Sequence, residues 1–300
     1  MYSVDHLRRL CLLLLLVCAA SRTVNADAWT KTNVMGWGNG MNVALGRGYV
    51  STASATPTPA TPAHVQYPGL RTSDYPSTQP NFEKVVLGPD YALTTSDGGM
   101  KLWAWGNNQY QQLGILAPTS RPYPFPLTTV PSDFVWPVLD IAARRDSSWF
   151  IDSSNTLWTT GASSISPAQN NWTKDYFGAN FKPIGAHCST ICIFWNASVV
   201  MNEQNDTLGT APVTDIQTAA IGNNNFLLSN GARVFGRGQN TDQMLVADST
   251  VTSLSDWTEM YFNPGEDYGT ISKLLPCSTH TLVPTTTGLY YMGTNTTANP

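Results

Sequence analysis

The chain reads as an all-β protein of many short antiparallel strands, and three observations carry that expectation. Only 12% of its residues are charged, while Gly (23), Pro (20) and Trp (10) are plentiful, a balance of turn formers and aromatics that suits short strands. Short hydrophobic segments are joined by turn sequences such as Ser-Asp-Gly-Gly at 96–99 and Asn-Gly at 230–231, which are hairpin signals. No long stretch repeats apolar residues at helical spacing.

Taken from the N-terminus, the first segment stands apart. Arg8 and Arg9 precede the apolar run 10–20, and a polar stretch ends in Val24-Asn25-Ala26-Asp27-Ala28. A basic start, a short apolar core and small residues beyond it predict a secretory signal peptide over residues 1–26. The competing expectation, an uncleaved anchor, is opposed by length, because a span needs about 20 apolar residues. The product is then expected to be secreted or extracellular, with one repeat domain over 27–300.

Export changes the inventory. Losing residues 1–26 removes three of 16 basic and one of 20 acidic residues, leaving a net charge of −6. No Lys/Arg cluster remains to follow a phosphate backbone, so no nucleic-acid partner is expected. No later segment reaches membrane-spanning length. Asn-X-Ser/Thr triplets at Asn171, Asn196, Asn205 and Asn295 are candidate N-glycosylation sites. Of the cysteines only Cys188, Cys192 and Cys277 stay, an odd number that does not make a disulfide framework. Were 188–192 one strand, Cys188 and Cys192 would lie about 13 Å apart on one face, beyond the about 7 Å that a disulfide spans. They are expected to be buried small hydrophobes.

The rest of the chain carries a repeat hidden by low identity. Anchor glycines end alternating aromatic segments at Gly38, Gly106, Gly161, Gly238 and Gly293, and Met201 takes the corresponding place in one copy. A leucine follows seven residues later at Leu45, Leu113, Leu208 and Leu245. A second element, a small residue then a polar or aromatic residue then a hydrophobic run, begins at 88, 143, 185, 222 and 277. It precedes each anchor by 18, 18, 16, 16 and 16 residues. Loops drift freely, so near-constant spacing predicts a repeated unit of two strands and a tight turn. Each unit is too small to stand alone, and repeats of about 50 residues fit the blades of a β-propeller.

The second copy, "GPDYALTTSDGG" followed by "LWAWGNNQYQQLG", resembles the regulator of chromosome condensation repeat. The resemblance extends over roughly residues 34–300 and implies a seven-bladed propeller. About six blade units are visible here, so the expectation is an incomplete ring or a natural chain that continues past Pro300. Within the second copy, Trp103 and Trp105 face one side of their strand and are expected to fill a layer between blades. Gly106 is expected where a Cβ would clash or φ is positive. Asn107, Asn108 and Gln109 are expected to tie the turn after it.

Between the units lie a Pro/Thr/Ser-rich insertion at 50–80, expected to be a surface loop, and the loop 120–136. Tyr123, Phe125, Phe134 and Trp136 in that loop are candidates for a partner-binding surface, with packing inside the blade as the alternative. No catalytic set, cofactor loop or metal-ligand pattern is expected. His64, His187 and His280 fall in separate units, and a structural hydrogen bond is the expectation for His187 and His280. Not an enzyme, the chain is expected to present inter-blade loops to an extracellular protein or glycan. The alternative that the resemblance implies, nucleotide exchange on a small GTPase, is disfavoured by the signal peptide and the acidic charge.

Overall fold

The computed structural model describes residues 31–36, 45–46, 62–66, 80–117, 119–162, 169–174, 181–189, 191–222, 224–240, 243, 245, 250–261, 268–276 and 280–293. The expected signal peptide, most of the 50–80 insertion, Gly38, Cys277 and Asn295 lie outside them. The chain divides into two compact units, Met1–Lys182 and Pro183–Pro300. Among the described residues every regular element is a strand, and no helix is long and apolar enough to cross a membrane.

In the first unit, β1 (Lys31–Gly36) pairs with β2 (Ala63–Gln66). The second sheet is a meander of β3 (Phe82–Leu87), β4 (Tyr91–Ser96), β5 (Lys101–Gly106) and β6 (Arg121–Pro126). The third repeats it with β7 (Val138–Arg144), β8 (Ser147–Asp152), β9 (Leu157–Gly161) and β10 (Gln169–Lys174). The second unit holds β11 (Gly185–Cys188), β12 (Cys192–Trp195), β13 (Val199–Asn202) and β14 (Thr207–Thr210), then β15 (Thr218–Ile221), β16 (Asn225–Ser229), β17 (Val234–Gln239) and β18 (Ser253–Met260). A three-stranded sheet closes it: β19 (Leu275–Pro276), β20 (His280–Pro284) and β21 (Leu289–Gly293).

The paired strands expected from the sequence are the two middle ones of each larger sheet. β4 and β8 are buried along their whole length, which is why they read as hydrophobic runs. The first strand of each sheet, not the second, is innermost: β3 lies against β7, and in the other unit β11 lies against β15. The mixed burial of β3 gives it no hydrophobic signature.

Side-chain alternation builds the layers. Trp105 and Ala92 pack on Val65 of the first sheet, and Trp103 meets Phe82 edge-on at 5.9 Å. Leu93, Leu102 and Ala104, from the opposite face of the same strands, join Ile141, Phe150 and Trp158. In the second unit Phe226 and Leu228 pack toward Ile193 and Trp195, while Leu227 packs toward Ile271 and Val283. Each fully buried Leu, Ile or Phe stabilises by about 1.5–3 kcal/mol. A sheet sandwiched on both faces, as β3–β6 is, therefore owes its stability to its neighbours.

The stretch 185–192 departs from expectation. It is not one strand: Ser189 donates its N–H to the Ile191 carbonyl and the chain reverses, so Cys188 pairs with Cys192 across β11 and β12. Their Cα atoms are 4.1 Å apart and the sulfurs form a disulfide. The distance argument failed because it assumed continuity of the strand; opposite residues on antiparallel strands lie within bridging range. The same slip misplaced the anchor. Met201 pairs with Phe194 in mid-strand, and Glu203 sits where the anchor glycines sit, donating its N–H to the Cys192 carbonyl at 3.1 Å.

Candidate functional site

The anchors are scaffold, and three of them share one geometry. Gly106, Gly161 and Gly238 have φ of 104°, 92° and 107°, and a Cβ at each would overlap the carbonyl oxygen of Asp90, Asp146 or Asn224. The next residue, Asn107, Ala162 or Gln239, donates its N–H to that same carbonyl, each time at 2.9 Å. Gly293 ends β21 opposite His280, the first residue of β20.

The asparagine two residues past the anchor shapes the loop. Asn108 Oδ1 accepts from Leu113 N at 2.9 Å, and Asn108 Nδ2 donates to the Ile115 and Ala117 carbonyls. Asn240 does the same, accepting from Leu245 N and donating to the Val251 carbonyl, both at 2.8 Å. Each loop thereby drives its leucine inward: Leu113 is 0% and Leu245 1% exposed. Polar groups that looked available for ligands are consumed by the fold.

In the first unit the loop after Gly106 is fastened to the next sheet. Ser148 Oγ donates to the Gln112 carbonyl, Thr160 Oγ1 to the Gln111 carbonyl and Trp172 Nε1 to the Gly114 carbonyl. The Tyr91 hydroxyl donates to the Ser147 carbonyl and is fully buried. Burial pushes its pKa far up, so it stays a donor across the pH range.

The fastening leaves a groove of about 480 Å³ between the outer strands of the two sheets. Ile115, Leu116, Phe125, Leu127, Val130 and Trp172 give it an apolar lining, and Gln111 contributes a polar edge. Leu116 is 61% exposed. Gln111 Nε2 donates to the Leu116 carbonyl at 3.0 Å.

Of the four aromatic candidates, only Phe125 lines this groove. Tyr123 lies half-buried on β6, and Arg121 covers the Phe125 ring at 4.5 Å. Phe134 is a core residue, 7% exposed and packed on Trp136, Trp158 and Trp172; of its two expected roles, binding surface or packing inside the blade, it takes the second. Trp136 packs on the same core.

The histidines stay apart: His64 in β2 shares a hydrogen bond with the Thr32 carbonyl at 2.7 Å, His187 is in β11 and His280 opens β20. No group of His, Cys, Asp or Glu that could hold a metal occurs among the described residues. The carboxylates of the innermost strands have structural partners, Asp140 pairing with Lys84. At the neighbouring turn, burial first and then the nearby Asp90 charge hold the Asp146 carboxyl above its ordinary value. Asn171 lies in β10, Asn196 in the β12–β13 turn and Asn205 in the β13–β14 turn.

The disulfide closes a very short loop. Replacing both Cys188 and Cys192 by alanine is expected to lower unfolding free energy by about 2 kcal/mol, the loop-entropy value for so few residues. Denaturant unfolding of the variant should match that of the reduced wild-type chain.

Comparison with known proteins follows this geometry. A family model described as the regulator of chromosome condensation (RCC1) repeat matches residues 101–149, from β5 into β8. Among solved structures the chain is similar to that of Kap60 bound to yeast RCC1 (Prp20), with TM-score 0.63 and 14% identity over 94% of this chain and 72% of the other. It is similar to Prp20p of Saccharomyces cerevisiae, described with its binding to Gsp1p and histones, at TM-score 0.61 and 14% identity over 87% and 66%. Human WBSCR16 gives TM-score 0.57 and 15% identity over 84% and 67%. No curated protein matches in sequence. Likeness at these identities establishes the fold: an all-β propeller of this type, with about six blade units.

Proposed function

We propose that this chain, an RCC1-like repeat protein, is a secreted or cell-surface binding module that holds an extracellular partner in its loops. The observation that carries the reading is the apolar groove of the first unit, lined by Leu116, Phe125 and Trp172, with Leu116 largely exposed. Its lining favours a protein side chain over a glycan. Passage through the secretory pathway rests on the N-terminal residues 1–26, and the Cys188–Cys192 disulfide supports it. The scaffold supplies rigidity, and the variable loops supply recognition.

Leu116→Asp tests the reading. The side chain is largely exposed, so the unfolding midpoint should not move, while capture of the cognate extracellular protein by the full secreted chain should fall at least tenfold. Undiminished capture by the variant removes the groove from the reading. The second reading, favoured by likeness to Prp20p, is exchange on a small GTPase; accelerated nucleotide release from a cytosolic GTPase, with no extracellular ligand, would replace the first.

A further inference from the structure

The β13–β14 connection is a tight turn held from below. Asn202 Oδ1 accepts from Gln204 N at 3.0 Å and from Asp206 N at 2.8 Å, and Asn202 Nδ2 donates to Asp206 Oδ2 at 3.0 Å. Glu203 is 1% exposed, with its carboxylate accepting from Cys192 N at 2.9 Å. Asn205 is left at the outside of the turn. Its φ of 68° is one that asparagine tolerates, and its backbone N–H is bonded to the Asn202 carbonyl. Asn205, Asp206 and Thr207 are all exposed, so every residue of this Asn-X-Thr triplet is open to the surface.

Asn196 is placed otherwise. It is half-buried, and its Oδ1 accepts from Ser198 N at 2.8 Å and Val199 N at 2.9 Å. Its side chain closes the β12–β13 turn.

We propose that Asn205 carries an N-linked glycan, an inference that rests on the secretory reading. The co-reactant is a lipid-pyrophosphate-linked oligosaccharide. Asn205 Nδ2 forms a bond to the anomeric carbon, the bond from that carbon to the pyrophosphate oxygen breaks, and the lipid pyrophosphate leaves with the electron pair. The amide nitrogen gives up one proton. A bulky polar substituent projects from an exposed turn, so the native turn accommodates it.

The test uses the full chain in a eukaryotic secretory host, once with its own N-terminus and once behind a heterologous cleavable signal. Enzymatic deglycosylation in heavy-oxygen water, followed by peptide mapping, reads occupancy as Asn205 converted to labelled aspartate. Occupancy at Asn205 is expected, lost in Thr207→Ala and retained in Thr207→Ser. Asn205→Asp should remove one glycan from the electrophoretic ladder without moving the unfolding midpoint. An unmodified Asn205 in the chain delivered by the heterologous signal overturns the proposal. Occupancy there, with none when the chain uses its own N-terminus, supports the site and instead sinks the secretory reading.

Discussion

Gly238→Ala is expected to lower the unfolding free energy by about 3 kcal/mol or more, and Gly106→Ala and Gly161→Ala by similar amounts. Two costs combine at each position. The backbone has φ near +100°, where an L side chain is strained. A Cβ would also overlap backbone atoms, the Asn224 carbonyl oxygen and Asn225 Cα at position 238. Backbone cannot swing aside as a flexible side chain can. Relief would break the hydrogen bond from Gln239 N to the Asn224 carbonyl and unseat the first residue of β16. Gly98 separates the two costs: its φ is 65°, yet nothing lies within 4 Å of a Cβ built there. Gly98→Ala should therefore cost about 1–2 kcal/mol, the conformational part alone. Urea unfolding of the four variants checks this, and equal midpoints for Gly98→Ala and Gly238→Ala would refute the overlap.

These glycines were legible in the sequence because they answer to one local requirement repeated at fixed spacing. So was the leucine seven residues on at Leu45, Leu113 and Leu245, all buried; Leu208, counted from Met201, is only half-buried. Trp103 and Trp105 were legible by alternation, and both lie buried on the same face. The outer strands were not. β6 reads Arg-Pro-Tyr-Pro-Phe-Pro, and three prolines argue for a loop until the strand is known to be an edge, where missing donors face away from the ladder. The β11–β14 sheet was misread because its anchor is Glu203, not glycine, and a chance spacing of 16 residues to Met201 satisfied the search. A better clue was present: Cys-Ser-Thr at 188–190 recurs at 277–279, before the strand that begins at His280. Aligning those tripeptides puts Ile191 opposite His280, within one residue of the start of β12 at Cys192, and so places the turn between the cysteines. The groove was invisible because its residues, from Gln111 to Trp172, are brought together only when two sheets pack.

Asp152 should give the other large effect. Its side chain is 0% exposed, and both oxygens are saturated by donors from three parts of the chain. Oδ1 accepts from Ser154 N, Ser154 Oγ and Thr156 N at 2.8, 2.6 and 3.0 Å. Oδ2 accepts from Trp158 Nε1 at 2.9 Å and Val135 N at 3.2 Å. One carboxylate thus closes the β8–β9 hairpin, fixes the core indole and pins the loop that carries Phe134. Burial by itself would raise its pKa, but the hydrogen bonds from Ser154, Trp158, Thr156 and Val135 together outweigh burial and hold it below the ordinary carboxylate value. Asp152→Ala leaves those donors without an acceptor and is expected to cost about 3–4 kcal/mol. Asp152→Asn keeps the shape but turns an amide donor toward one of them, for about 2 kcal/mol. The sign of the pH dependence follows from the lowered pKa. The stabilisation is present above the unfolded value, about 4, and is lost as pH falls through the lower folded value. The stability gap between wild type and Asp152→Asn should therefore be constant from pH 7 to 5 and shrink below about 4. Asp133, paired with Lys174 on the surface, is shifted down chiefly by that hydrogen bond and titrates in the same direction, so Asp133→Asn serves as control; being exposed, its effect should fade with added salt. A gap that persists unchanged to pH 3 would mean that Asp152 holds its neighbours by shape and not by charge.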